Sequence, residues 1–246
     1  MNYDLRKKVV LVTGGAVRLG RSICEAFADE GAHVAVHFRT SAVEAKALAA
    51  KLKRRGVKVD VFQATLDSGK ACDQLILDVK RRMGRVDVLV NNAAVFNRDR
   101  LESCTEDKLL TEFWPNLFAP VLLTRAFARQ AHAGSVINIL DRRIRSHDAE
   151  RIPYLLSKKA LEEFTALAAI DLAPRIRVNG IAPGPILPPP GLTEAYLKEK
   201  GGAILTEKRP TPEDVAAAAV FLAKSATVTG QILFVDSGQN LLGNGV

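Results

Sequence analysis

Short apolar, β-branched runs alternate with longer segments of helical period from one end of the chain to the other. VVLVT (9–13), HVAVHF (33–38), VKVDVF (57–62), VDVLV (86–90), SVINIL (135–140), IRVNGI (176–181) and QILFVD (231–236) read as strands. Between them the pattern predicts helices over 21–30, 42–55, 71–83, 116–132, 153–172 and 212–224, the last opening on TPED with a threonine cap and an acidic first turn. Such alternation is the signature of βα units building a parallel sheet covered on both faces. The expected fold class is α/β: a doubly wound, seven-stranded parallel sheet in three α/β/α layers, a single domain over 1–246 with no linker and no internal repeat. The proline-rich stretch PGPILPPPG (183–191) suits neither helix nor central strand. It reads as a loop at the carboxyl end of the sheet, where such folds bind ligands.

Composition narrows the picture. At 48% hydrophobic, the chain has material for a sizeable core, yet no apolar run approaches the ~20 residues that span a bilayer, so no membrane partner is expected. The basic start, 1–8, runs into an apolar stretch too short for a signal-peptide core. Cys24, Cys72 and Cys104 are odd in number and widely spaced, which fits neither a disulfide framework nor a metal or redox pair, so no metal and a reducing cytoplasm are expected. The net charge of +8 favours a polyanionic partner, either nucleic acid or a phosphate-bearing cofactor. Much of it lies on presumed helix faces such as 51–55 and 80–85, which read as solvated, and no nucleic-acid-binding motif accompanies it. A small-molecule substrate is expected, and no nucleic acid.

TGGAVRLG (13–20) leaves the first strand and enters a helix, so free N–H groups and the positive dipole end meet whatever sits above the strand tips. Gly14, Arg18, Leu19 and Gly20 belong to this anion site. At the end of the second strand a carboxylate would accept from a ribose 2′-OH, whereas a cation accommodates a 2′-phosphate. The residues there are His37, Phe38, Arg39, Thr40 and Ser41, with no acid among them. Arg39 and the two hydroxyls offer charge-assisted bonds to a phosphate, so NADP(H) is preferred over NAD(H).

Tyr154 and Lys158 lie four apart on one helix face, and an ammonium beside a phenol is expected to lower the phenol's pKa. Spacing alone is indecisive, because Tyr3 with Lys7 and Tyr196 with Lys200 repeat it. Only the middle pair sits at the carboxyl side of the sheet. Asp141, just past the fifth strand, is placed to orient a neighbouring acid or share its proton. Asn116 follows Pro115 and is expected at a helix start or a kink.

In order and spacing these pieces resemble the short-chain dehydrogenase/reductases over essentially the whole chain. TGGAVRLG matches the family's TGxxxxxG loop; NNAA (91–94), Asn116, Tyr154-x-x-x-Lys158, Pro183-Gly184 and TGQILFVDSG complete the pattern. The resemblance implies a Rossmann-type sheet of order 3-2-1-4-5-6-7, usually in a homotetramer. Most members carry serine where this chain has Asp141, and the aspartate version looks like the pteridine reductases. So do Arg18 within the loop, HFRTS, APGPIL, and Phe96, whose counterpart in those enzymes sandwiches a pterin against the nicotinamide.

By this resemblance Tyr154 donates the proton, Lys158 lowers its pKa and holds the ribose, Asp141 orients or helps protonate, and Asn116 supports a water relay. Arg18, Phe96, Asp141 and Tyr154 would meet substrate. Thr65, Leu66, Asn92, Ala93, Pro183 and Gly184 would meet cofactor, and Ile186 would contact the carboxamide through its backbone. Two departures stand out: Ala94 replaces a frequent serine, and Thr65 replaces the aspartate that usually takes the adenine amino group, with Asp67 two residues along. Arg142, Arg143 and Arg145 are read as attracting an acidic substrate tail. The expected activity is NADPH-dependent reduction of a dihydropteridine or dihydrofolate-type substrate. The alternatives are a carbonyl reductase acting on 3-oxoacyl or other keto substrates, and an inactive NADP-binding regulatory or nucleic-acid-binding module.

Overall fold

The computed structural model describes residues 3–188 and 191–242; Pro189 and Pro190 of the proline-rich loop and the first two residues of the basic start lie outside them. Seven parallel strands run in the order β3-β2-β1-β4-β5-β6-β7, the order the resemblance implied. They are β1 (Val9–Val12), β2 (His33–Phe38), β3 (Val59–Gln63), β4 (Val88–Asn91), β5 (Gly134–Ile139), β6 (Ile176–Pro183) and β7 (Ile232–Val235). The helices are α1 (Arg18–Asp29), α2 (Ala42–Lys53), α3 (Gly69–Met83), α4 (Glu106–Phe113), α5 (Ala119–Gln130), α6 (Ile152–Leu172), α7 (Glu194–Lys200) and α8 (Pro212–Lys224).

Successive strand residues point to opposite faces, so one strand feeds two cores. Val10 and Val12 pack with α1, α2 and α8. Val9 and Leu11 pack with α3, α5 and α6 on the other side. The three-layer arrangement follows, and it puts all seven carboxyl strand ends along one edge.

Two helices were not expected. Thr105 caps α4, its hydroxyl accepting from Lys108 N at 3.4 Å, but only Glu112 of that helix is buried, so no apolar stripe announced it. α7 is likewise short and polar. The helix expected to begin at Asn116 instead continues from α4 through a π-helical turn, Trp114–Phe118, into α5. Pro115 has no N–H to give and its ring crowds the preceding turn, which here widens the helix rather than ending it. The helix-face cations expected to be solvated are mostly paired: Lys51 with Glu25 (2.9 Å), Arg55 with Asp29 (2.6 Å), Arg81 with Asp78 (2.8 Å), Arg85 with Asp87 (2.8 Å), and Arg82 with Asp60.

Candidate active site

The glycine loop is held from below by three side chains. Thr13 Oγ1 accepts from the N–H groups of Asn92 (2.9 Å) and Ala93 (3.0 Å). Asn92 Nδ2 donates to Thr13 O (2.8 Å) and Gly14 O (3.1 Å). His37 Nδ1 accepts from Gly14 N (3.1 Å), while Gly15 N donates to His37 O (2.8 Å). Gly14 sits at φ +61 with a Cβ position 3.1 Å from Ala93 Cα, and a Cβ on Gly20 would fall 2.1 Å from Gly14 O. The loop thus closes onto backbone, and α1 starts with no side-chain cap on its first amides. This is a cradle with room for an anion and none for extra carbon.

Sequence reasoning placed His37 against the cofactor, but its ring is spent on the protein. With Nδ1 accepting from Gly14, the proton sits on Nε2 and faces Ala64 O at 3.2 Å. Burial pulls the imidazole down to about 4 from its usual 6.5. A group so depressed is more protonated in the unfolded chain between those values, so its contribution is complete above pH 6.5 and is lost as pH falls toward 4. Denaturant unfolding is expected to show roughly 3 kcal/mol of loss across that window. In His37→Gln the same titration should be flatter, and an unchanged slope would assign the loss elsewhere.

Above the loop lies a cleft of about 950 Å³. Gly14, Arg18, Leu19, Gly20, His37 and Phe38 line it, as do Arg39, Thr40, Ser41, Thr65, Leu66, Asn92 and Ala93. Asp67 lines it beside Thr65, and α4 and its π turn add Leu110, Thr111 and Trp114, which sequence reasoning did not anticipate. Arg39 is exposed, and its guanidinium meets no acidic partner among the described residues. Arg18 reaches across to donate to Pro188 O at 2.7 Å. Pro183, Gly184 and Ile186 are not part of this lining. Gly184 N donates to Val235 O (2.9 Å) and Ile186 N to Gly184 O (2.9 Å), so both amides are engaged within the protein.

The chemistry residues converge beyond β4 and β5. Tyr154, buried on α6, donates its hydroxyl to Asp141 Oδ2 at 2.8 Å. Asp141 Oδ1 accepts from Arg143 N (2.8 Å) and caps a short 3-10 turn, Arg142–Arg145. Lys158, also buried, donates to Ile139 O at 2.8 Å. The Phe96 ring meets Tyr154 edge-on, 4.6 Å between centroids.

The expected lowering of the phenol by Lys158 is not met in the protein alone. Burial, the Asp141 carboxylate and its hydrogen bond push Tyr154 well above the usual phenol range, with Arg143 opposing. Burial in turn draws Lys158 down to about 8, against Asp141 and Glu112. The ammonium points at a carbonyl, whereas a carboxylate holds the phenol directly, and the nearer charge wins. Tyr154 is therefore a stored proton at neutral pH.

Asn116 is fully buried in the π turn and clamps a loop. Its Oδ1 accepts from Val95 N (3.0 Å) and its Nδ2 donates to Val95 O (3.1 Å) and Glu112 Oε2 (2.9 Å). Glu112 Oε1 accepts from Asn97 N at 2.9 Å. Amide and carboxylate together fix the backbone on both sides of Phe96. Sequence reasoning missed Glu112; its one signal was a position four before Asn116.

A family model described as short chain dehydrogenase matches residues 8–198. The chain belongs to the short-chain dehydrogenase family. Within it, glucose and ribitol dehydrogenase homolog 2 of Arabidopsis thaliana is 34% identical over 248 residues, 95% of this chain and 86% of that protein. Pteridine reductase 1 of Leishmania tarentolae is 33% identical over 281 residues, 95% and 96% of the two chains. FolM alternative dihydrofolate reductase 1 from Brucella canis, complexed with NADP, superimposes with TM-score 0.92 at 32% identity, covering 97% of this chain and 96% of that one.

This member of the short-chain dehydrogenases ties its two site loops together. Asp99 N donates to Glu150 O (2.8 Å) and Ile152 N to Asp99 O (3.1 Å), making a parallel bridge between Asp99 and Arg151. The Arg151 guanidinium lies over the Phe96 ring, 4.1 Å from its centroid, and Arg143 stands 5.5 Å from it. Arg145, by contrast, turns to Glu162 (2.6 Å). No helix of the described residues is long and apolar enough to cross a membrane.

Proposed function

We propose that the chain is an NADPH-dependent reductase of a dihydropteridine or dihydrofolate-type substrate. The observation that carries this reading is the Tyr154–Asp141 hydrogen bond at 2.8 Å with the Phe96 ring against the phenol. A flat heterocycle needs an aromatic plate and a proton donor at its edge, and this corner offers both. A nicotinamide cofactor bound in the cleft supplies the hydride. The cradle of Gly14 and Gly20 suits a pyrophosphate, and Arg39 with Thr40 and Ser41 suits a 2′-phosphate.

Tyr154 Oη delivers the proton to the reduced nitrogen or oxygen. Asp141 keeps that proton in place until transfer, and accepts from the hydroxyl again once a proton taken up from solvent has restored it. Lys158, one turn further along α6 and anchored through Nζ on Ile139 O, keeps a buried positive charge on the helix that carries the phenol. Asn116 and Glu112 hold the segment that carries Phe96. The resemblance's homotetramer and cytoplasmic setting belong to the same reading. Leu156, Leu167 and Ile170 of α6 are exposed, as a helix meeting another copy would have them.

The test is NADPH consumption with dihydrobiopterin, dihydrofolate, dihydromonapterin and an acetoacetyl thioester, with NADH as control. Turnover of a pterin with NADPH, and a roughly tenfold or greater preference over NADH that disappears in Arg39→Asp, is the expected result. Turnover confined to the acetoacetyl substrate favours the carbonyl reductase, to which Ala94, a methyl group in the cleft lining, lends support. Equal use of NADH removes the role given to Arg39.

A further inference from the structure

We propose that Arg143 and Arg151 form a carboxylate-binding subsite beside Phe96, so that the molecule reduced at Tyr154 carries an anionic tail. The place of the reacting ring rests on the reading above; the binding of the tail is a separate matter. Both guanidiniums stand at the Phe96 ring, and their ion pairing is incomplete. They share one carboxylate, Asp148, at 3.7 Å from Arg143 Nε and 3.5 Å from Arg151 Nε. Charge-assisted bonds normally close to about 2.7–2.9 Å. Arg143 Nη1 also reaches Asp141 Oδ2 at 3.4 Å, but that oxygen already accepts the Tyr154 hydrogen bond.

Positive charge is in excess around this point. Arg151 is drawn below the ordinary arginine range by burial first and then by Arg143 and Arg98. Arg142, half-buried beside Arg143, has no ion pair among the described residues. Arg143 and Arg151 thus share Asp148 between them, with the Arg98 charge also acting on Arg151. Arg151 has only 11% of its side chain exposed, so a second carboxylate there would be met in a weakly screened setting. Stacking on Phe96 keeps the Arg151 fork flat, and a planar fork pairs two oxygens at once. An aromatic body ending in a carboxylate fits plate and fork together.

The probe is p-aminobenzoylglutamate against its uncharged diamide, titrated calorimetrically into the NADP-loaded enzyme. The acid is expected to bind about tenfold tighter than the diamide. In Arg151→Gln the two affinities should fall within about twofold of each other. In Asp148→Asn, which frees both forks, the ratio should grow at least about twofold. The ratio is the readout because a general packing loss weakens both ligands alike. Equal binding of acid and diamide to the native protein overturns the proposal, as does a tenfold ratio that survives Arg151→Gln. Should Arg151→Gln fail to fold, an unchanged ratio in Asp148→Asn overturns it. If no pterin is turned over while the acid still outbinds the diamide, the pterin reading falls and the subsite stands; the converse removes the subsite alone.

Discussion

Tyr154→Phe is expected to lower turnover by about 10³-fold while leaving NADPH affinity within a factor of about two. Removing the hydroxyl deletes the group donated to Asp141, and nothing among the neighbouring side chains replaces it as an acid: Lys158 is turned to Ile139 O, and Arg143 is a guanidinium. The ring that packs edge-on against Phe96 is retained, so the plate keeps its support. The loss should therefore fall on kcat rather than on KM. Stopped-flow of hydride transfer beside fluorescence titration of NADPH separates the two. Activity surviving the substitution would mean that proton delivery lies elsewhere, and it would favour a nucleotide-holding module over an enzyme.

Gly20→Ala is expected to weaken NADPH binding by about 100-fold or more, and to cost about 1–3 kcal/mol of stability. The added carbon would stand 2.1 Å from Gly14 O and 2.7 Å from Asn92 Nδ2. Neither atom can retreat cheaply, since Asn92 Nδ2 donates to Gly14 O and His37 holds Gly14 N from the other side. Gly69→Ala is the control: its Cβ would meet nothing closer than 3.9 Å, at the start of α3. NADPH titration and thermal unfolding of the two variants should diverge sharply. Comparable behaviour would show that the loop is looser than its hydrogen bonds indicate.

The strands and the glycine loop were legible because each is a local pattern. A run such as VVLV is buried on both faces whatever its neighbours do, and a glycine turn before a helix has few uses. The proton site was legible in part. Asp141 and Tyr154 are thirteen residues apart, and their meeting depends on how β5 hands over to α6 through a turn that Asp141 itself caps. Pro115 marked Asn116 as standing at a helix start or a kink, and sequence alone did not choose between them; the helix runs on through a π turn there. Glu112 carried no signal of its own: a glutamate on a polar helix is ordinarily solvated, and only the tertiary fold buries it. His37 was read as meeting the cofactor; it lines the cleft, but its ring is engaged with Gly14, a partner 23 residues away that no periodicity connects to it. The direction of the phenol's shift was missed because spacing on a helix places Lys158 near Tyr154 without showing where Nζ points.

The bridge between Asp99 and Arg151 makes the aromatic plate and the arginine fork parts of one mechanical piece. Whatever tilts the ring must drag the cation with it, so recognition of a ligand's two ends is correlated before either is touched. Slowed deuterium uptake at the Asp99 amide on adding a tailed ligand would report that seating from a distance.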